Sequence, residues 1–417
     1  MSGEGRSEDV PDPVATMPVA PPVCANADVD RYVERVCFKT GPPRLVGAEL
    51  EWIVAAATHP AAVVPLADIR DALRTAGPLP GGGVVTFEPG GQLELSSRPA
   101  EGLSACWRAL ETDVARLRQA LHDAGLILLP TAIDPYRKPH RQVQSPRYDS
   151  MEVYFDRRGG VGRVMMCSTA AVQVNLDAGA DVADVRRRWA ILHAVGPALA
   201  AAFANSPIFA GRVTRWKSTR QAVWQRLDPG RTAPPRGADP FAAWSRYALD
   251  APVMLVRQGA NRWCPDPGFT FAGWMARAGR NGGRPTRDDL VYHLTTLFPP
   301  VRPRGWLEVR YIDAQPPEFW PVPIAVLTVL AGHPEAGSIA MASTDPVAGA
   351  WVAAARHGLE HAGLALAAAA CFEAAVRALP EFGVEPALVD LVESFRDRYV
   401  ARGRCPADDA LQKGPPR

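Results

Sequence analysis

RLVGAELEWIV, Arg44 to Val54, is the stretch that decides the fold. Side chains alternate across a strand. One face of this segment therefore carries Leu45, Gly47, Glu49, Glu51 and Ile53, and the other Val46, Ala48, Leu50, Trp52 and Val54. The same arrangement recurs three times. TFEPGGQLELSS (Thr86 to Ser97) sets Gln92, Glu94 and Ser96 against Leu93 and Leu95. TAAVQVNLD (Thr169 to Asp177) sets Gln173, Asn175 and Asp177 against Val172, Val174 and Leu176. WLEVRYID (Trp306 to Asp313) sets Glu308 and Arg310 against Leu307, Val309 and Tyr311. If the four lie in one sheet, its apolar face packs on helices and its other face carries carboxylates, amides and an Arg.

Two readings compete for that polar face. Half-buried strands alternate routinely, so the face can be merely solvated. Yet Glu is depleted in strands. Clustered carboxylates repel unless cations stand between them, and hard cations such as Mg²⁺ take oxygen ligands. The acidic pattern thus favours a metal site.

Composition sets the outer bounds. The 417 residues are 47% hydrophobic and 22% charged, as in a globular protein with a substantial core. A net charge of +2 supplies no global field for nucleic acid or membrane. The seven Cys are scattered without a C-x-x-C, which suits a reduced compartment. The N-terminus lacks a signal-peptide pattern, and the apolar run from Ala362 to Phe372 is too short to span a bilayer. Both point to the cytoplasm.

Along the chain, residues 1–25 are rich in Pro and acids, and disorder is expected. A catalytic sheet domain is expected over 26–320, a helical region packed on it over 321–402, and a flexible tail over 403–417. Within these, Asp28 to Lys39, Val63 to Ala76, Ser104 to Gly125 (capped by Ser104), Asp181 to Asn205 and Thr286 to Leu297 read as helices. Ile127 to Pro135 and Tyr247 to Val256 read as strands, and Tyr136 to Ser150 as a loop.

Several chemistries are excluded. None of the four Lys follows a Gly, so there is no P-loop. No G-x-G-x-x-G follows a strand, and G-x-S-x-G is absent. His357-Gly-Leu-Glu360-His361 fits H-x-x-E-H, which on a helix would place two His on one face as zinc ligands. Arg212 to Arg231, with Trp216 and Trp224, has the composition of a nucleic-acid stripe. Arg also recognises carboxylates and phosphates bidentately, and a small-molecule role is favoured.

Taken in order, these segments resemble glutamate–cysteine ligases of the second, plant and actinobacterial, type. The matching pieces are Gly47-x-Glu49-x-Glu51; Glu88 to Ser97; TAAVQVNLD; NSPIFAG (Asn205 to Gly211) with Ser218, Arg220, Trp224, Asp228 and Arg231; YALDAPVMLV; and His293 to Pro316. The match runs from about Leu45 to Trp320, and the ergothioneine-biosynthesis subfamily is the most similar. Pro303 and Arg304 depart from the smooth strand start expected there.

The resemblance implies an α+β fold: a curved antiparallel sheet forming a funnel with flanking helices, related to glutamine synthetase and guanido kinases. It implies ATP-dependent joining of L-glutamate to L-cysteine through a γ-glutamyl phosphate, in a monomer without nucleic acid or membrane partners. A related ligase with another amine acceptor is the alternative. Mg²⁺, more than one ion, with Mn²⁺ as a substitute, would be held by Glu49, Glu51, Glu88, Glu94 and Glu308. Arg310, with Glu308, would be catalytic. Gln173, Asn175, Arg220, Trp224 and Arg231 would bind substrate or nucleotide.

Overall fold

The computed structural model describes residues 22–23, 25–258, 261–263, 268–277 and 283–415. The expected N-terminal disorder falls almost wholly outside them. Val23 lies within, buried, its amide donating to the Pro285 carbonyl.

The four acidic segments do form one antiparallel sheet. Its strands are β1 (Leu45–Trp52), β2 (Val84–Phe87), β3 (Leu93–Ser96), β4 (Ala100–Glu101), β5 (Ala171–Asp177), β6 (Val301–Pro303) and β7 (Trp306–Asp313). The order across the sheet is β6-β7-β5-β1-β3-β2, with β4 pairing on β1. Leu50, Leu93, Leu95, Val174, Leu307 and Val309 are fully buried on the apolar face. Helix α1 (Gly102–Asp123) packs on β1, and a later helix, Pro321–Gly332, packs on β5. That later helix is apolar all round because it is buried from Pro321 to Ala331.

TFEPGGQLELSS is not one strand. It is the β2–β3 hairpin, folded at Glu88–Gln92. Gly91 has φ +86°, and a Cβ on Gly90 would stand 2.2 Å from the Cys167 carbonyl. The turn therefore needs both glycines, one for conformation and one for close approach. Helix α2 (Pro146–Asp156) occupies the end of the expected loop, capped by Ser145, whose Oγ accepts the Tyr148 amide at 3.2 Å. Helix α3 (Val161–Ser168) follows and leads into β5.

Other expectations shift. Ser104 is no cap: α1 begins at Gly102, and Ser104 Oγ donates to the Gly383 carbonyl. The long helix over Asp181–Asn205 is two, Val182–Ala194 and Gly196–Ala202, because Pro197 cannot continue the first hydrogen-bond ladder. YALDAPVMLV begins as the end of helix Pro240–Asp250 and crosses a connecting stretch, with strand only from Val256. Ile127–Pro135 shortens to a strand at Leu126–Leu128.

The C-terminal region shares one core with the sheet. Its helical run Ala362–Phe382 has 21 residues and, contrary to the sequence reading, is long and apolar enough to cross a membrane. Half of it is buried in the protein, with Phe372 against Phe203 and Phe395. The expected flexible tail contains a docked helix, Pro406–Lys413, with Cys405 and Ala407 fully buried. Lys217 ties it down, pairing with Asp408 and, at 2.6 Å, with Glu360.

Candidate active site

Strand register brings the polar residues together. Glu51 stands opposite Glu94, and Glu94 opposite Thr86. Glu49 stands opposite Ser96 on one side and Gln173 on the other. Glu308 faces Asn175 on β5 and Arg302 on β6. The β2–β3 turn adds Glu88. Of these, Glu49, Glu51, Glu88, Glu94, Ser96, Gln173 and Arg302 wall a cavity of about 400 Å³, lined also by Arg147, Tyr148, Met151, Met165, Trp224, Phe298 and Arg304, while Glu308 lies buried behind it.

The glutamates there are crowded. Burial, then Glu308 and Glu94, push Glu49 up to about 7. Burial, then Glu88 and Glu94, push Glu51 to about 8, and burial with Glu94 pushes Glu88 to about 7. Each keeps partial exposure to the cavity, so water tempers the repulsion. Local amides and hydroxyls serve the carboxylates: Gln173 donates to Glu51 at 2.6 Å, Thr86 to Glu94 at 2.8 Å. As placed, the glutamates line the cavity rather than meet at a point. Among the described residues no three His, Cys, Asp or Glu side chains form a ready metal cage.

Glu308 lives differently. It is fully buried and meets three guanidinium groups: Arg302 at 2.5 and 3.0 Å, Arg304 at 3.2 Å and Arg310 at 3.1 Å. Burial opposes ionisation, but Arg302 and Arg310, then Arg304, outweigh it and hold its pKa well below the usual range. A cation could use Glu308 only by displacing one of these arginines.

Arg310 also donates to Gln173 and lies over Trp224 and Phe298. Arg220 comes from the first turn of α4 (Thr219–Leu227), which Ser218 caps through the Gln221 amide at 3.0 Å. Arg220 donates to the Arg310 carbonyl at 2.8 Å. Of the buried donors on residues lining this cavity, Trp224 Nε1 and Arg310 Nε have no hydrogen-bond partner among the described residues, and Arg220 Nη1 lies 3.6 Å from the Asp313 carboxylate. Arg147, Arg220, Arg304 and Arg310 on the cavity wall suit it to an anionic ligand.

A model of glutamate–cysteine ligase family 2 matches residues 45–416. The chain belongs to that family. The glutamate–cysteine ligase EgtA of Mycobacterium tuberculosis is 43% identical over 398 residues, covering 91% of this chain and 88% of its own. EgtA of Mycolicibacterium smegmatis is 42% identical over 403 residues, with 90% and 92% covered. A chloroplastic glutamate–cysteine ligase of Medicago truncatula is 32% identical over 257 residues, 57% of this chain and 49% of its own.

Within this family-2 ligase the structure gathers Glu49, Glu51, Glu88, Glu94, Gln173, Arg220, Trp224 and Arg310 at one cavity. It does not bring Arg231 there. That residue is fully buried, bonded to Thr296 and the Pro252 carbonyl, and stacked on Tyr154 at 4.6 Å. Its place is a pin between loops, not a substrate contact. Asn175 accepts from Trp306 Nε1 at 3.0 Å and faces a neighbouring cavity of about 630 Å³ that shares Glu49 and Arg304 with the first.

The basic segment also turns inward. Lys217, Arg220 and Arg231 are buried, while Arg212, Arg215 and Arg226 stay exposed. His357 ends one helix and His361 caps the next, with Gly358 at φ +55° between them, so they do not share a helical face. Arg302 and Arg304 escaped the sequence reading. Their signal was the β6–β7 hairpin around Gly305, whose register sets Arg302 opposite Glu308.

Proposed function

We propose that this protein joins the side-chain carboxylate of L-glutamate to the amine of L-cysteine, with ATP cleaved to ADP and phosphate. The product, γ-glutamylcysteine, would serve ergothioneine biosynthesis. The observation that carries this reading is one cavity whose wall holds four glutamates beside Arg220 and Arg310. The glutamate γ-carboxylate oxygen attacks the terminal phosphorus and ADP leaves. The cysteine amine then attacks the acyl carbon, losing a proton, and phosphate departs.

Phosphoryl transfer asks a protein for positioning and charge neutralisation. Arg310 supplies a guanidinium for the transferred group. Arg220 and Trp224 line the cavity where they would meet a carboxylate of glutamate. Gln173, held between Glu51 and Arg310, keeps both in place. The sulfur-rich end, Met151 and Met165 beside Phe298, suits a thiol side chain. The larger cavity, walled by Val46, Leu176 and Trp306, suits an adenine ring.

The donor set fits hard divalent cations, because four carboxylates that repel one another are relieved by a positive charge between them. Glu49, Glu51, Glu88 and Glu94 would hold Mg²⁺, or Mn²⁺ in its stead. When bound, such ions neutralise phosphate charge. We place the protein in the cytoplasm, working as a monomer on small molecules.

The test is turnover of ATP with glutamate and cysteine supplied together. ADP, phosphate and γ-glutamylcysteine are expected, with oxygen-18 moving from the glutamate side chain into phosphate. Label recovered in AMP would defeat the acyl-phosphate route, and ATP cleavage indifferent to both amino acids would defeat the ligase reading.

A further inference from the structure

Behind the cavity, out of its reach, a buried carboxylate ties the two arginines together. Asp313 ends β7 and is 2% exposed. One of its oxygens accepts the Asn205 amide at 2.9 Å and Ser206 Oγ at 2.8 Å. The other accepts Ser218 Oγ at 2.9 Å and lies 3.6 Å from the Arg220 guanidinium. Both hydroxyl protons thus point at Asp313. The lone pairs are left to face the start of α4: Ser206 Oγ accepts the Arg220 amide at 3.1 Å, and Ser218 Oγ accepts that of Gln221 at 3.0 Å.

The same helical turn grips β7 from the other side. Arg220 donates to the Arg310 carbonyl, and Gln221 Nε2 to the Tyr311 carbonyl, each at 2.8 Å. The strand pairing is irregular here, between Val309 and Ile312, so β5 does not hold these residues in regular register. α4 does it instead, and Asp313 sets the polarity of the hydroxyls that seat α4.

We infer that Asp313 is a positioning residue of the reaction, fixing Arg220 and Arg310 relative to each other through Ser206, Ser218 and the first turn of α4. Asp313 touches no substrate. The inference rests on the reading in which Arg220 binds glutamate. A neutral amide at 313 keeps the shape, but puts a donor where hydroxyls and an amide already donate.

The experiment is a double-mutant cycle on the full chain, with Michaelis constants for glutamate and ATP read separately. Asp313→Asn should raise the glutamate KM by roughly 10-fold or more, as expected for loss of a charged hydrogen-bond anchor, and leave the ATP KM within about two-fold. Arg220→Lys should raise the glutamate KM similarly. The double variant should cost much less than the product of the two, because both act through one group. Independent, multiplying effects would overturn the inference, as would an unchanged glutamate KM in folded Asp313→Asn. If that variant does not fold, Ser206→Ala and Ser218→Ala each remove one link. Each should raise the glutamate KM about three-fold or more, and no change in either sinks the inference. An unchanged glutamate KM in Arg220→Lys alone would instead remove the assignment of Arg220, and the inference with it.

Discussion

Glu49 and Glu308 lie on the same sheet face, two strands apart, and are the same residue type. Around Glu49, burial, then Glu308 and Glu94, outweigh Arg310 and Arg302, and its pKa rises to about 7. Around Glu308 stand three arginines, and its pKa falls well below normal. One region holds its charge unsatisfied and open to the cavity; the other has neutralised its charge and closed over it. Residue type and strand position therefore do not settle a role. What surrounds the side chain does, and for Glu308 the surroundings include Arg302, its partner across the pairing register.

The contrast is easiest to break at its rigid end. Glu308→Gln leaves Arg302 buried without its counter-charge, and loss of one partner of a buried pair costs about 3–5 kcal/mol. Its unfolding midpoint in denaturant should fall clearly, and turnover with it. A variant as stable as the parent would show that the arginine knot is not structural. Glu49→Gln and Glu94→Gln should do the reverse. Each removes a like-charge repulsion, so metal-free stability should hold or rise, while turnover falls by about 100-fold, as when a strong electrostatic stabiliser is lost. Near-parental turnover in both would detach the acidic wall from the chemistry.

pH sharpens the comparison by a smaller effect. Glu49, Glu51 and Glu88 have folded pKa values above their unfolded ones. The stability they confer is therefore complete below about 4.5 and is lost as pH rises through about 7 to 8. Glu308 has the opposite sign, and its contribution is lost only as pH falls below the ordinary carboxylate range. Melting of the metal-free protein should thus weaken between pH 5.5 and 8.5. Mg²⁺ should recover on the order of 1–3 °C more at the upper end. A magnesium effect equal at both ends would contradict the crowded wall. The smallest effect belongs to His357→Ala and His361→Ala, whose turnover should stay within about two-fold. A large loss accompanied by lost zinc would revive the zinc site.

The sheet and most of the cavity were legible because period-two alternation is a local property. Glu49, Glu51, Glu94, Gln173 and Arg310 could be assigned to one face before any pairing was known. Glu88 was legible only through family resemblance, since its position depends on a turn. Arg302 and Arg304 were hidden because a hairpin interrupted by Pro303 does not alternate cleanly. Arg231 misled for the opposite reason: a guanidinium looks the same in sequence whether it meets a substrate or, as here, the Thr296 and Pro252 carbonyls. The docked Pro406–Lys413 helix was missed because its polar composition reads as a tail, and only its start, Cys405 to Ala407, is driven inward.

The salt bridge between Lys217 and Asp408 spans 191 positions of chain. Lys217 immediately precedes the cap of the helix that carries Arg220. During synthesis that segment leaves the ribosome long before either counter-ion, Glu360 or Asp408, exists. A lysine awaiting so distant a partner cannot be settled by local folding, and closing so large a loop is slow. Catalytic competence should consequently appear late, after Asp408 emerges, and not gradually as each strand of the sheet is made.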